Sequence, residues 1–246
     1  MKIAFCFLTY DNIIRSDIWN TFFENIDKDK YLVFIHPKNI INNNYTFNYN
    51  YIKNIINTTS KYDISIVKAT LNLLEESYKL DKSITHFVFL SQSCIPLYNF
   101  NKLYNLIKEL KNSVISYIDN NKKDRYYKLS NTIKKHINYN NFVKQQPNMI
   151  LIREDVSYLV NNNLIDHFKF IECPDEHYFI NVLLYIFKKK IFKHSTHFCN
   201  TDLNKTQALE FNNINNNFIN KIRELGFIFM RKLNKNSIID IQYIFE

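Results

Sequence analysis

The run Cys173-Pro174-Asp175-Glu176-His177-Tyr178-Phe179 puts two carboxyl groups and an imidazole directly after a proline, ahead of an apolar stretch. A carboxylate held rigidly at the edge of a cleft can take a proton from an attacking hydroxyl group. Proline and acidic residues are also what the first turn of a helix selects, because proline lacks the N–H left over there and acids face the unpaired amides. The same run therefore reads as an ordinary start to a helix over residues 174–187. Neighbouring positions on a helix point in different directions, so Asp175 and Glu176 cannot work as a paired dyad, and at most one faces a substrate. Near the chain's end the apolar run 227–230 stops at Arg231-Lys232. Two adjacent cations at a strand end can neutralise a diphosphate, a task often given to a metal ion, although Arg-Lys pairs are also common on surfaces.

These groups need elements to hold them. Short apolar runs at 3–8, 31–35, 86–90, 114–118 and 149–152 predict strands, with a weaker candidate at 191–199. Helical patterns fall at 13–25, 65–80, 101–110, 153–162 and 174–187; in the second, Val67, Leu71, Leu74 and Tyr78 share one face. Strands alternating with helices predict an α/β sandwich with a mostly parallel sheet in a single domain over 1–246, its ligands at the carboxyl ends of the strands. Polar groups follow the strands directly: Thr9-Tyr10-Asp11, His36-Pro37-Lys38 and Ser91-Gln92-Ser93. Turn chemistry alone also puts polar residues there. The Asn-rich segments 42–57 and 212–217 read as loops.

Composition excludes several functions. Gly226 is the only glycine, whereas Walker-type and dinucleotide-binding loops need several to bring backbone close to phosphates. Lys and Arg number 32 against 23 Asp and Glu, a net charge of +9, but the charge is dispersed and carries no helix-turn-helix, zinc-finger or RNA-recognition pattern, so no nucleic-acid partner is expected. Cys6, Cys94, Cys173 and Cys199 form no C-x-x-C pair and read as reduced thiols. The first residues read as a strand, with no signal peptide, and no apolar run is long enough for a membrane span, which makes a cytoplasmic location the expectation. The abundance of Asn, Lys, Ile, Tyr and Phe reflects A/T-rich codons.

Several segments together resemble the core-2/I-branching β-1,6-N-acetylglucosaminyltransferases, glycosyltransferase family 14. They are Lys2-Ile3-Ala4-Phe5 with Leu8-Thr9-Tyr10, Ile35-His36-Pro37-Lys38, Ser65-Ile66-Val67-Lys68-Ala69 and residues 87–97 (FVFLSQSCIPL). Asp124-Arg125-Tyr126-Tyr127, Ile152-Arg153-Glu154, residues 173–179 (CPDEHYF) and Phe229-Met230-Arg231-Lys232 continue in family order. The resemblance implies a GT-A-like, Rossmann-type fold and inverting transfer of a sugar, foremost GlcNAc, from a UDP-sugar to a hydroxyl of a glycan or glycoprotein. It implies no cofactor and no divalent metal: Ser91-Gln92-Ser93 stands where most GT-A enzymes carry Asp-x-Asp, and Asp27-Lys28-Asp29 reads as a solvated turn. Xylose and glucuronic acid are alternative donor sugars, and a degenerate fold acting as a glycan- or protein-binding module is the alternative function.

By the same resemblance Glu176 is the catalytic base. Lys232 binds the diphosphate beside Arg231, and Thr9, Tyr10, His36, Pro37, Ser65 and Ser91 contribute to the donor pocket. Arg125 contacts the acceptor, with Lys122, Asp119 and Asp175 nearby. Two departures stand out. The family's second diphosphate-binding arginine has no counterpart in 201–217, where Lys205, or Arg223 beyond it, is a substitute without a motif match. The Golgi anchor and disulfides of animal members are also missing, which suits a stripped catalytic domain such as an A/T-rich microbe or a large DNA virus would encode.

Overall fold

The structure is a computed structural model that describes residues 1–39, 45–57, 63–119, 124–200 and 208–246. Its centre is a six-stranded sheet. The chain enters through β1 (Lys2–Thr9), α1 (Ser16–Phe23), β2 (Tyr31–Pro37), β3 (Asn50–Tyr51), α2 (Ser65–Leu80), β4 (Ile84–Ser91), β5 (Ile95–Pro96) and α3 (Phe100–Lys108). It continues through β6 (Val114–Asp119), α4 (Asp124–Tyr127), α5 (Asn131–Lys134), β7 (Val143–Ile152), α6 (Arg153–Asn161) and α7 (Tyr178–Asn181). The last elements are β8 (His197–Cys199), β9 (Phe211–Ile214), α8 (Asn216–Glu224), β10 (Phe229–Arg231), β11 (Leu233–Ile239) and α9 (Ile241–Phe245). The sheet order is β3-β2-β1-β4-β7-β6, in which β3/β2, β2/β1 and β1/β4 pair in parallel while β7 runs antiparallel to both β4 and β6. The expected α/β architecture with a mostly parallel sheet is thus observed.

Strands buried on both faces need apolar residues at every position, which is why β1, β2 and β4 read as continuous apolar runs. In β1 the side chains alternate: Ile3, Phe5 and Phe7 face Trp19, Phe22 and Phe23 of α1 and Phe100, Leu103 and Ile107 of α3, while Ala4 and Cys6 face Val67, Leu71 and Leu74 of α2. Trp19 is fully buried, its ring 4.9 Å from Phe7 and its Nε1 donating to the Cys94 carbonyl at 3.0 Å. All four cysteines are free, and burial pushes the Cys6 thiol up to about 12. Among the described residues no helix is long and apolar enough to cross a membrane.

The structure departs from expectation in three places. The expected helix 174–187 is broken into a 3-10 turn (Pro174–Glu176), α7 and a π-helical turn (Val182–Ile186). Its amides have other partners: the Ile180 N–H donates to Gln145 Oε1 at 2.7 Å rather than to a carbonyl one turn back. The segment 212–217, expected as a loop, contributes to β9 and opens α8, whose first turn is capped by Asn215 Oδ1 accepting from Phe218 N at 2.9 Å. Of 42–57, residues 42–44 lie outside the described residues, and the rest is tied down by rings, with Tyr45 and Phe47 stacked at 5.1 Å and Tyr49 meeting Tyr51 edge-on at 5.1 Å.

Candidate active site

Because β1, β2 and β4 are parallel, their carboxyl ends share one edge of the sheet, and backbone bonds join them there. Lys38 N and Asn39 N donate to the carbonyls of Thr9 and Tyr10 at 2.9 and 2.8 Å. Gln92 accepts from Tyr10 N at its side chain (2.6 Å) and from Ile14 N at its carbonyl (2.9 Å). Of the expected donor-pocket residues, Tyr10 is exposed, with Lys38 Nζ 5.1 Å above its ring, whereas Thr9, His36, Pro37 and Ser65 are buried. The Thr9 hydroxyl donates to the Asp11 carbonyl at 2.8 Å. His36 Nε2 accepts from Ile56 N at 3.0 Å, which leaves the ring's proton on Nδ1, a buried nitrogen with no partner among the described residues. Burial holds this imidazole below its ordinary pKa.

Arg231 ends β10, the middle strand of a small sheet between β5 and β8, and Lys232 follows it. Leu233 N donates to the Ser93 carbonyl at 3.1 Å, which fixes the chain after Lys232 against the end of β4, and the Arg231–Lys232 peptide is cis. Arg231 Nη1 donates to Asn148 Oδ1 at 2.9 Å. Asn148 Nδ2 reaches Cys94 Sγ at 3.6 Å, and that sulfur lies 3.2 Å from Ser91 Oγ. Arg231 Nε and His197 Nε2 are buried without partners among the described residues. The His197 ring stacks on Phe229 at 4.7 Å, and burial, reinforced by the Arg231 charge, pushes its pKa well down. Among the described residues neither Arg231 nor Lys232 has a carboxylate within ion-pair distance.

Glu176 stands on the turn that Cys173 opens in the left-handed region, at φ +50°. A non-glycine residue there costs roughly 1–2 kcal/mol, and such strain is commonest at functional sites. Glu176 Oε2 accepts from Arg125 Nη1 at 3.0 Å and from Lys144 Nζ at 3.2 Å. The buried Arg125 also donates from Nη1 to His177 Nε2 at 3.1 Å, while His177 Nδ1 donates to the Val143 carbonyl at 2.9 Å. Burial, helped by the Arg125 charge, pushes His177 down to about 4, so a neutral ring stacked 4.6 Å from Phe142 orients the guanidinium. Asp175 diverges from Glu176, as neighbours on a turn must. Its Oδ1 is buried with no partner among the described residues, and burial, then the Glu176 charge, raises it to about 6.

Both clusters hang on β7. Asn148 holds Arg231 and Lys144 holds Glu176, and four residues of extended strand span about 13 Å. Asp119 ends β6 opposite Val143 and is exposed. Lys122 and Lys205 lie outside the described residues. Arg223 does not reach the cations' end: it donates to the carbonyls of Leu97 (2.7 Å) and Ile244 (2.8 Å) and lies over Tyr98, securing the C-terminal segment. The Asp27–Asp29 turn is exposed, with Asp29 N donating to Asp27 Oδ1, as a solvated turn should. Sequence reading missed Lys144, Asn148 and His197, which carry no motif. A cavity of about 550 Å³ between α1 and Phe47 opens at the opposite, amino edge of the sheet, away from all these groups.

An α/β sandwich whose carboxyl edge carries a fixed carboxylate at one end and unneutralised cations at the other has the layout of a group-transfer site. The chain belongs to the Core-2/I-Branching enzyme family, whose model matches residues 3–223 and so stops short of Arg231 and Lys232. The Glycosyltransferase BC10 of Oryza sativa subsp. japonica is 28% identical over 130 residues, which cover 51% of this chain and 32% of that protein, about a third of its length. Two solved structures are similar in part. The apo structure of the bifunctional glycosyltransferase WbbM has a TM-score of 0.49 at 11% identity, covering 94% of this chain and 45% of that one. Apo mouse xyloside xylosyltransferase 1 has a TM-score of 0.39 at 8% identity, covering 81% and 88%.

Proposed function

We propose that this chain catalyses metal-independent, inverting transfer of a sugar, foremost GlcNAc, from a UDP-sugar to a hydroxyl of a glycan or glycoprotein. The observation that carries the reading is the division of the carboxyl edge: Glu176 fixed by Arg125 and Lys144 at one end, and Arg231 with Lys232, lacking carboxylate partners among the described residues, at the other. In direct displacement the acceptor oxygen bonds to the sugar's C1 as the bond from C1 to the diphosphate oxygen breaks. The acceptor's proton passes to Glu176, and UDP leaves with the bonding pair. A positioned base contributes about 10²–10⁴ in rate. Charge grows on the diphosphate oxygens as the bond breaks, and Arg231 and Lys232 offset it in this reading. Asn148 holds Arg231 in position beforehand, so that reorganisation is small.

The test is UDP release by the purified chain in EDTA with UDP-GlcNAc, UDP-xylose, UDP-glucose and UDP-glucuronate, wild type beside Glu176→Gln. Turnover of one donor with chelator present, reduced at least a hundred-fold by the substitution, is the expected result. Turnover that needs a divalent ion, or that survives Glu176→Gln, refutes the reading. One observation favours a glycan- or protein-binding module without turnover: the stretch 201–217 holds no arginine, and Arg223 is committed to the carbonyls of Leu97 and Ile244, so the family's second diphosphate-binding cation has no counterpart there. UDP bound by a chain that releases none from any donor, with acceptors supplied, would select it.

A further inference from the structure

Cys94 stands between the end of β4 and the side chain that holds Arg231, and no step above uses it. It is fully buried and its backbone is held from two sides: the N–H donates to the Ser91 carbonyl at 3.1 Å, and the carbonyl accepts from Trp19 Nε1 at 3.0 Å. The turn after β4 and the indole of α1 therefore fix where the sulfur lies. Three polar groups meet it there. Ser91 N donates to Sγ at 3.4 Å, Asn148 Nδ2 donates to it at 3.6 Å, and Ser91 Oγ lies 3.2 Å away. The contacts of Cys6, the other buried thiol, with Ser77 Oγ and the Ala4 carbonyl are longer, at 3.8 and 3.9 Å. Cys6 fits the usual part of a buried thiol as a small apolar filler, and Cys94 does not.

The chemistry of Arg231 decides which way the Asn148 amide points. A guanidinium only donates, so the atom 2.9 Å from Arg231 Nη1 is Oδ1, and the amide nitrogen turns to the sulfur. Sγ is then an acceptor for Asn148, as it is for Ser91 N. Asn148 is buried, so an amide nitrogen that loses the sulfur finds little solvent in its place. Without that anchor the carboxamide can rotate about its last bond and carry Oδ1 away from Nη1. Little else holds the guanidinium: among the described residues Arg231 Nε is buried without a partner, and no carboxylate lies within ion-pair distance.

We infer that Cys94 is a positioning residue: through the Asn148 amide its sulfur holds the Arg231 guanidinium in the place from which it meets a donor's diphosphate. This rests on the transferase reading for what Arg231 binds, but the hold itself is also measured without ligand. The experiment compares wild type, Cys94→Ala, Cys94→Ser, Asn148→Leu and the double variant carrying Cys94→Ala with Asn148→Leu. Alanine and serine leave nearly the same space unfilled, and only serine accepts a hydrogen bond. By calorimetry Cys94→Ala should weaken UDP binding about five-fold, and Cys94→Ser should restore most of it. Once Asn148 is leucine, the alanine substitution should weaken UDP no further, because the two act through one chain of contacts. By NMR without UDP, hydrogen exchange of the Asn148 side-chain amide, identified by its absence in Asn148→Leu, should speed up in Cys94→Ala and much less in Cys94→Ser. The remaining amide signals report that each variant is folded. An alanine variant that binds UDP as wild type does, or a serine variant as weak as the alanine one, overturns the assignment. So does an alanine effect of the same size when Asn148 is leucine, because the sulfur would then act without the amide. If the wild type binds no UDP, the transferase reading falls and exchange alone decides the hold: acceleration by alanine but not by serine upholds it, and equal rates in all three chains overturn it.

Discussion

Asp175 and His177 flank the proposed base, and burial drives their titrations toward opposite effects on stability. His177 titrates near 4 in the folded chain against an ordinary 6.5, so between those values the unfolded chain binds more protons. Its contribution is complete above pH 6.5 and is lost as pH falls through 4, amounting to about 3 kcal/mol. Asp175 runs the other way. Its folded pKa is about 6 against an ordinary 3.8, so it favours the folded chain at low pH, and that advantage is lost as pH rises through 6. The amount is again about 3 kcal/mol for a site that does not relax. Between pH 4 and 6 the two slopes oppose each other and nearly cancel. Asp175→Asn removes one slope and leaves every other group in place. Urea unfolding of wild type and variant from pH 4 to 7.5 should therefore give a stability difference that grows in the variant's favour, from near zero at pH 4 to about 3 kcal/mol at pH 7. A difference that does not vary with pH would refute the burial argument for Asp175, and one favouring the wild type at pH 7 would mean that its Oδ1 has a partner.

Arg125→Met leaves His177 Nε2 without its donor and Glu176 with Lys144 alone; removing one partner of a mostly buried pair should cost about 2–4 kcal/mol by urea unfolding, and no cost would mean that solvent already screens the pair. Asn148→Leu deprives Arg231 of its 2.9 Å acceptor, and calorimetry should show UDP binding weakened about ten-fold, since bonds to charged groups contribute about 1.5–3 kcal/mol; unchanged affinity would show that Arg231 needs no prior placement. Arg153→Lys tests a residue of the Ile152-Arg153-Glu154 segment whose guanidinium donates to the carbonyls of Tyr78, Asp81 and Ile84 and lies 4.1 Å over the Tyr78 ring. A lysine cannot make that fork, so stability should fall by about 2 kcal/mol with UDP affinity intact.

What could be read from sequence followed burial. The strands β1, β2 and β4 are covered on both faces, so they announce themselves as unbroken apolar runs, and α2, packed on one face, announces itself through Val67, Leu71 and Leu74 at helical spacing. The two-stranded sheet of β9 and β11 gave no such signal. In β9 only Ile214 is buried, and in β11 only Leu233 and Ser237 are, with Lys235 between them exposed, so backbone pairing holds these strands with little apolar pattern. The break in the expected helix after Pro174 was equally hidden, because the glutamine that accepts from the Ile180 amide stands 35 residues earlier in the chain.

Candidate residues were legible where polar groups follow a strand and illegible where they precede one. Thr9, His36 and Ser91 lie at the ends of parallel strands, and in a parallel sheet that rule is enough, because every carboxyl end reaches the same edge; Arg231 ends a strand of a separate sheet, tied there by the bond from Leu233 N to the Ser93 carbonyl. Strand β7 is antiparallel to β4, with His86 opposite Ile152 and Val88 opposite Ile150, so its amino end is what arrives at that edge. Periodicity cannot give a strand's direction. The mostly polar residues 143–148 therefore carry no site signal of their own, although they supply Lys144 to Glu176 and Asn148 to Arg231. Strand β6, antiparallel to β7, runs in the same sense as β4, which returns Asp119 to the edge under the ordinary rule. In a mixed sheet of this kind, residues that precede an antiparallel strand must be weighed as site candidates on the same footing as those that follow the parallel ones.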